Sequence, residues 1–517
     1  MTSHRLLLFV LASFILMASS KALASPLQAA DPDFAIIDKF VESEMQSQRI
    51  PGLALGIVQG DQIVYLKGFG VADPSGRAVT PQTPFIIGSL SKSFTALAIM
   101  QLAEEGKVDL DAPVQHYLPW FRVADGTASA EITVRHLLYQ TSGLSTKTGR
   151  SFQGNGDISD AALEQAVRKL SRAELTEPVG AVHQYSTINY SVLGLIVQTV
   201  SGQSYESYIQ KHIFDPLQMN HSFASQAEAQ PQGLATGYHY AFGIPIAVQL
   251  PYNRGILPAG YLIASAEDMS HYLIAQLNNG RYANEALLSP DGIMEMHMPA
   301  VPTGVAGTSY GMGWFVGPIN GLLAVHHQGE TFNFHANMIL LPESQTGIVV
   351  LINGENSMDL LFGAARIADI SKGVASLLAG QQPPSPAANT SVWVVYGLLI
   401  GLIIVQVLGV IRSAQNLQRQ RRTNGQVKVG RHIVLPLLLN LVWALVTLVI
   451  LPKMIFGLPL MILSTGLPDL GYTLLVSGLI ALAWGVLRTT LAYAASWARS
   501  KANATLIVSE AAIRENN

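Results

Sequence analysis

Pro84-Phe85-Ile86-Ile87-Gly88-Ser89-Leu90-Ser91-Lys92-Ser93-Phe94-Thr95-Ala96 is the stretch from which the fold is read. A short apolar run ends at Gly88, and a helix-forming segment continues through Met100, Leu102 and Glu105 to Gly106. Ser89 falls where a helix N-cap or first-turn residue belongs. Lys92 follows three residues later, so on a helix both side chains share one face. The spacing sets a hydroxyl beside an amine at the positive end of a helix dipole, where a developing oxyanion is favoured. Ser-x-x-Lys is therefore a candidate activated nucleophile. Alone, the tetrapeptide also matches any helix start that carries a surface lysine, so its meaning depends on the rest of the chain.

The chain has 517 residues, enough for more than one structural unit. Only 13% of the residues are charged and 49% are hydrophobic, which is too apolar for an ordinary soluble protein of this size. A net charge of −3 gives no footprint for nucleic acid. The absence of cysteine excludes disulfides, thiolate metal sites and Cys nucleophiles.

Residues 1–24 read as a secretory signal: Arg5 in the n-region, an apolar core from Leu6 to Met17, and Ala22-Leu23-Ala24 as the cleavage site. Residues 25–380 form the expected globular unit. Phe34, Ile37, Phe40 and Val41 recur at helical spacing, and residues 53–58 and 63–69 read as a hairpin around Gly60-Asp61. Residues 107–300 are mostly helical, the clearest helices being 132–139, 163–170, 190–200 and 266–277. Strands return at 313–316, 323–327, 335–341 and 347–351, and a last helix is expected near 360–378. Strands at both ends with helices between imply an α+β domain, its antiparallel sheet completed by N- and C-terminal segments.

Residues 381–391 are a Pro-rich linker. The remaining part, 392–517, contains three apolar runs, at about 392–411, 433–451 and 470–487, expected to be transmembrane α-helices. Residues 453–468 between the last two are apolar but broken by Gly and Pro, which suits an interfacial or re-entrant segment. The loop 412–431 carries Arg412, Arg419, Arg421, Arg422, Lys428 and Arg431 with no acid, so it is expected to be cytoplasmic. An exported N-terminal unit requires the same orientation. The expected location is a bacterial cytoplasmic membrane, multi-pass, with the globular unit in the periplasm or outside the cell and membrane lipid as a partner.

A serine nucleophile needs a proton acceptor, a donor for the leaving group and an oxyanion site. Lys92 acts as a base only if its pKa is lowered from about 10.4, and a nearby tyrosine can relay the proton. Tyr185, in a turn after Pro178 and Gly180 and ahead of a helix, is the candidate; an ordinary half-buried tyrosine, as expected for Tyr190, is the alternative. His326-His327-Gln328-Gly329-Glu330 follows a strand, and a Gly at a strand edge lets a ligand backbone approach. The paired histidines lack a His-x-x-x-His or His/Asp partner pattern, so no metal is expected.

Ser89-Leu90-Ser91-Lys92, Tyr185-Ser186-Thr187 with Asn189-Tyr190, and His327-Gln328-Gly329 together resemble the three motifs of the serine β-lactamase and penicillin-binding-protein superfamily. The resemblance is greatest to its class C-like branch and extends over residues 31–378. Flanking text agrees: Ile132 to Leu138, Thr141-Ser142-Gly143-Leu144, Pro258-Ala259-Gly260-Tyr261 and Tyr310-Gly311-Met312-Gly313-Trp314. The resemblance implies a β-lactamase/transpeptidase-like fold, Ser89 as acylated nucleophile, Lys92 as general base and Tyr185 as proton shuttle. It also implies an oxyanion hole from the N–H groups of Ser89 and Glu330. His327, Gly329, Thr187 and Asn333 would bind substrate, with no cofactor. Thr187 replaces the Asn of Tyr-x-Asn, and Gln328 and Glu330 replace smaller residues, both pointing away from a dedicated β-lactamase. The layout is similar to that of membrane-anchored prodrug-activating D-peptidases such as the colibactin-maturing peptidase, although a histidine reading D-Asn there is Ile256 here. The expected activity is hydrolysis of a peptide, amide or ester through an acyl-enzyme. A penicillin-binding sensor or scaffold without turnover, or a β-lactamase, is the alternative. A transporter is disfavoured, since the three runs show no inverted repeat and no buried charge.

Overall fold

Residues 335–341 and 346–352 are buried at every position, and their parity sorts them onto two faces. In the computed structural model, which describes residues 33–152, 156–358, 366–384, 390–422, 433–456 and 460–515, these two strands lie at the centre of an eight-stranded sheet. The strands are β1 (Gly52–Gln59), β2 (Gln62–Gly70), β3 (Val301–Pro302), β4 (Ser309–Tyr310), β5 (Phe315–Ile319), β6 (Leu322–Glu330), β7 (His335–Leu341) and β8 (Thr346–Ile352). Their spatial order is β2-β1-β8-β7-β6-β5-β4-β3, every neighbouring pair antiparallel. β1 pairs with β8 from Leu53↔Ile352 to Gln59↔Thr346, so segments from the two ends of the globular unit close one sheet.

The helices that matter are α1 (Phe34–Gln48), α2 (Ser91–Glu104), α3 (Thr187–Ser201), α4 (Ala266–Leu277) and α5 (Arg366–Leu378). One sheet face carries Leu53, Leu55, Ile339, Leu341, Ile348, Val350 and Ile352, packed with Ile37, Val41 and Met45 of α1 and Ile367, Ile370 and Val374 of α5. The residues of opposite parity, Ala54, Met338, Leu340, Val349 and Leu351, pack with α2, α3 and α4. Period-two alternation thus divides the strands between two apolar layers, which is why they read as near-continuous apolar runs. α4 reaches the sheet because Gly56 has no side chain: a Cβ there would lie 2.4 Å from Ser270 Oγ.

α2 runs through the middle of the domain, with every residue from Ser91 to Met100 buried. A helix buried all round carries small or apolar residues on all faces, and its hydroxyls bond inward. Ser91 Oγ donates to Gly88 O at 2.7 Å, and Thr95 Oγ1 donates to Pro258 O at 2.6 Å.

Several expectations shift. The strand expected at 313–316 is displaced to β5, because Gly313 adopts φ +79° hard against α2. The mostly helical middle also contains a strand pair, Tyr238–Ala241 with Ile244–Ala247, whose first strand runs parallel to Gly354–Glu355. The last helix is described from Arg366; the part expected at 360–365, and the signal at 1–24, lie outside the described residues.

Beyond the globular unit run α6 (Thr390–Arg422), α7 (Leu435–Leu445) and α8 (Pro468–Glu515). Three stretches, Ser391–Arg419, Leu435–Met454 and Pro468–Ala498, are long and apolar enough to cross a membrane by length and composition. The broken segment between the last two holds a short helix, Leu460–Gly466. Residues 423–432, which include Lys428 and Arg431, are outside the described residues.

Candidate active site

Gly88 ends the apolar run with φ +53°, a left-handed conformation that glycine adopts without strain. Ser89 follows in a 3₁₀ turn, Gly88–Leu90, and the α-helix begins only at Ser91. The nucleophile candidate therefore sits on the turn that leads into α2 rather than in the α-helix, and it is only half-buried. Lys92 lies one turn on, fully buried, and its Nζ donates to Ser89 Oγ at 2.9 Å and to Ala259 O at 2.6 Å. Burial lowers its pKa from 10.5 to about 7. A lysine in that range holds a substantial neutral fraction at neutral pH and can take a proton from a hydroxyl.

Tyr185 closes the other side. Lys92 Nζ is 5.0 Å from the centre of its ring and 5.8 Å from that of Tyr190. Burial holds the Tyr185 phenol well above its ordinary value of 10, and the adjacent Ser89 hydroxyl pulls the other way. Tyr185 is thus a neutral hydroxyl beside Ser89, suited to passing a proton on rather than to holding a charge. Tyr190, by contrast, is buried with its hydroxyl donating to Leu138 O at 2.9 Å.

The loop that carries Tyr185 is pinned by a residue the motif reading passed over. Gln140 is fully buried with φ +60°, an uncommon conformation for a residue with a side chain. Its backbone carbonyl accepts from Gln184 N–H at 2.7 Å. Its side-chain carbonyl accepts from Ser186 N–H at 3.0 Å and Asn189 Nδ2 at 2.6 Å. Asn189 also accepts from Ser142 Oγ at 2.8 Å. The only hint in the sequence was position: Gln140 directly precedes Thr141-Ser142-Gly143.

The third wall is the end of β6. Here His327 and Gly329 face α2, while His326 alternates to the opposite face of the strand, in the field of Lys372; the Phe315 ring at the strand edge reaches both, 5.8 Å from His326 and 5.1 Å from His327. Strand parity thus separates the two adjacent histidines. His327 is buried, its Nδ1 2.6 Å from Gln328 O and its Nε2 3.4 Å from Tyr310 Oη. Burial and the nearby Lys92 depress its pKa to about 3, so the ring is neutral. Tyr310 and Phe315 complete an aromatic wall, with ring centres 6.2 and 6.3 Å from that of Tyr185.

Gly329 explains itself by contact. A Cβ there would lie 2.1 Å from Ile87 O and 3.0 Å from Ser89 N; one on Gly88 would lie 2.5 Å from Glu330 N. Two glycines let the nucleophile turn and the strand end meet backbone to backbone, so the N–H groups of Ser89 and Glu330 border one small patch. Backbone N–H groups aimed at one point are the usual makings of an oxyanion site, and these two are the candidates for it. The Glu330 carboxyl is raised to about 7, by burial first and then by Glu355.

The remaining expected residues sit further out. Thr187 is half-buried at the start of α3. Asn333 is buried, its Nδ2 donating to Val248 O at 3.2 Å and its Oδ1 accepting from Thr331 Oγ1 at 3.2 Å. The first bond ties the turn after β6 to Val248, just past the Tyr238–Ala247 hairpin, and the second lies within the turn. Ile256 is buried just ahead of the segment that presents Ala259 O. Away from Ser89, His221, Glu267 and Asp268 each bring one ligand-capable atom within 4.8 Å of the others. There Asp268 already accepts from His221 N–H and Ser222 Oγ, each at 2.7 Å, an arrangement that closes the loop onto the start of α4.

Comparison with known proteins agrees with this geometry. The family model described as Beta-lactamase matches residues 37–372. Protein flp of Staphylococcus aureus (strain MW2) is 32% identical over 320 residues, 61% of this chain. The chain spans 62% of the length of that relative. The solved structure of the octameric penicillin-binding protein homologue from Pyrococcus abyssi superposes with a TM-score of 0.59 at 29% identity, covering 68% of this chain and 79% of that one. By the extent of the family match and the shared architecture, this chain belongs to the beta-lactamase family, within the wider group of penicillin-binding-protein homologues.

Proposed function

We propose that the chain is an exported, membrane-anchored serine hydrolase that works through an acyl-enzyme on a peptide, amide or ester. The observation that carries this is the convergence on Ser89: a buried lysine amine 2.9 Å from its Oγ on one side and the Tyr185 hydroxyl on the other. Ser89 Oγ attacks the acyl carbon while Lys92 takes its proton. The N–H groups of Ser89 and Glu330 receive the oxyanion, and Tyr185 passes the proton to the departing group as the carbon–heteroatom bond breaks. Water then attacks the Ser89 ester along the same proton path and releases the acid. The neutral His327 offers a dipole in place of a fixed cation, so a substrate without a free carboxylate suits the site.

The N-terminal signal, the basic segment after the first apolar helix and the three long apolar helices support an anchored, outward-facing domain. Within the substrate class we favour a peptide bearing a D-residue, with a leader other than the D-asparaginyl one because Ile256 stands where a histidine would read it.

The test is labelling of membranes with a fluorescent penicillin or a fluorophosphonate probe. The wild-type chain should label and Ser89→Ala should not; unchanged labelling of the variant would remove Ser89 from the mechanism. Turnover of paired D- and L-peptides then examines the narrower reading, which equal rates would sink.

A further inference from the structure

Between Glu228 and Arg254 the chain has no Asp, Glu, Lys or Arg. This uncharged stretch contains the Tyr238–Ala241/Ile244–Ala247 hairpin, whose outer strand is, among the described residues, an edge of a three-stranded sheet. Ile244 and Ile246 are 56% and 46% exposed on that edge. An exposed apolar edge strand is an aggregation hazard unless something covers it.

The hairpin sits where the apolar helices emerge. Phe242 packs against Tyr396 of α6, ring centres 5.3 Å apart, in a cluster with Val392 and Leu467. The Phe242 N–H donates to the Asp469 carboxylate at the start of α8. At the same level Trp393, 66% exposed, packs edge-on to Tyr396, and Tyr472 is half exposed. Aromatic residues at the ends of apolar helices mark the headgroup zone of a bilayer. The tip of the hairpin is therefore held at that depth, with Ile244 and Ile246 exposed on the strand that leads away from it. Pro245 takes one N–H out of the edge strand, which weakens it as a template for a strand from a second copy.

We infer that the Ile244–Ala247 edge is a lipid-contacting surface, seated among the headgroups and upper acyl chains of the bilayer. The inference rests on the membrane-anchored reading. Its consequence is that the end of β6, which borders Ser89, lies close to the lipid surface. Tyr238 N–H donates to Asn333 O at 3.2 Å, and Gly237 packs so close to Asn333 that a Cβ would lie 2.2 Å from its amide nitrogen. Asn333 belongs to the turn that follows Glu330. In the same turn, Phe332 lies over Gly466 of the short helix between the last two spans. Hairpin and short helix thus hold the oxyanion strand next to the membrane, a position suited to acyl donors that partition into lipid.

The lack of cysteine makes the test clean. Single cysteines at Ile246, Ile244, Leu398 of α6 and Val305 are labelled with an environment-sensitive fluorophore. The full-length protein is placed in nanodiscs of phosphatidylglycerol and phosphatidylethanolamine with doxyl-labelled lipid, and Ser89-directed probe labelling confirms that each variant is folded. Fluorophores at Ile246 and Ile244 should be quenched much as at Leu398, and that at Val305 should not. Quenching at Leu398 but not at either hairpin position overturns the hairpin inference alone. No quenching at Leu398 overturns the anchored reading and the inference with it. Hairpin positions shielded from aqueous iodide yet unquenched by lipid, with energy transfer between differently labelled copies, would identify a second copy as the occupant and also overturn it.

Discussion

Gln140 Oε1 accepts a hydrogen bond from the backbone N–H of Ser186 at 3.0 Å, one residue past Tyr185. The same oxygen accepts from Asn189 Nδ2 at 2.6 Å, so a single buried amide fixes both the loop that carries Tyr185 and the start of α3. Gln140→Ala leaves two buried donors without a partner, a cost of about 1–3 kcal/mol each. It should also lower acylation by about 10²-fold through loss of Tyr185 alignment. Gln140→Glu keeps an acceptor and should restore part of the acylation rate. Denaturant unfolding and single-turnover probe kinetics separate the two effects; a variant that is destabilised yet acylates normally would give Gln140 a purely structural role.

Lys92 has a pKa lowered by burial to about 7, so raising the pH through that value removes its proton. Acylation should therefore rise through about pH 7 and then level off. The Glu330 carboxyl also titrates at about 7, so the profile is repeated in Glu330→Gln. The limb should persist there, and its disappearance would assign it to the carboxyl. The linked stability effect has a definite sign. Between about pH 7 and the ordinary lysine value the unfolded chain binds a proton that the folded one has lost, so stability rises with pH across that window. Lys92→Met should abolish acylation and flatten this rise.

Tyr185→Phe removes the only atom of that side chain able to pass a proton, leaving the aromatic packing against Tyr310 and Phe315 in place. A loss of about 10²-fold or more in acyl transfer is expected, the scale of a missing general acid/base. Stability should change little. Unaltered kinetics would take Tyr185 out of the proton path.

Gly329→Ala places a methyl group 2.1 Å from Ile87 O and forces the nucleophile turn away from the strand end. Acylation should fall by about 10²–10³-fold, as for a disrupted oxyanion site, with about 1–3 kcal/mol of stability lost to overpacking. Gly126→Ala, where an added Cβ meets nothing within 4 Å, is the matched control and should be near neutral. Equal behaviour of the two variants would refute the close-approach account.

Much of the fold was open to period counting. The strands at His335–Leu341 and Thr346–Ile352, and the helical spacing of Phe34, Ile37, Phe40 and Val41, come from short-range patterns that any strand or helix imposes. Ser89 and Lys92 lie one turn apart in a single stretch, so local spacing brings them together. The Tyr238–Ala247 hairpin was missed because each of its strands is only four residues long and the second carries Pro245, which reads as a break rather than as strand.

The residues, taken in order, determined the family motifs, the strands at both ends with helices between, and the three apolar runs. Only the tertiary structure decided that Tyr185 meets Ser89 and that Gln140 holds the Tyr185 loop. It alone set the hairpin against the first and third apolar helices. Spacing along a chain specifies neighbours within a turn or a strand; contacts between distant segments depend on which surfaces exclude water together, and on where a glycine lets two backbones touch.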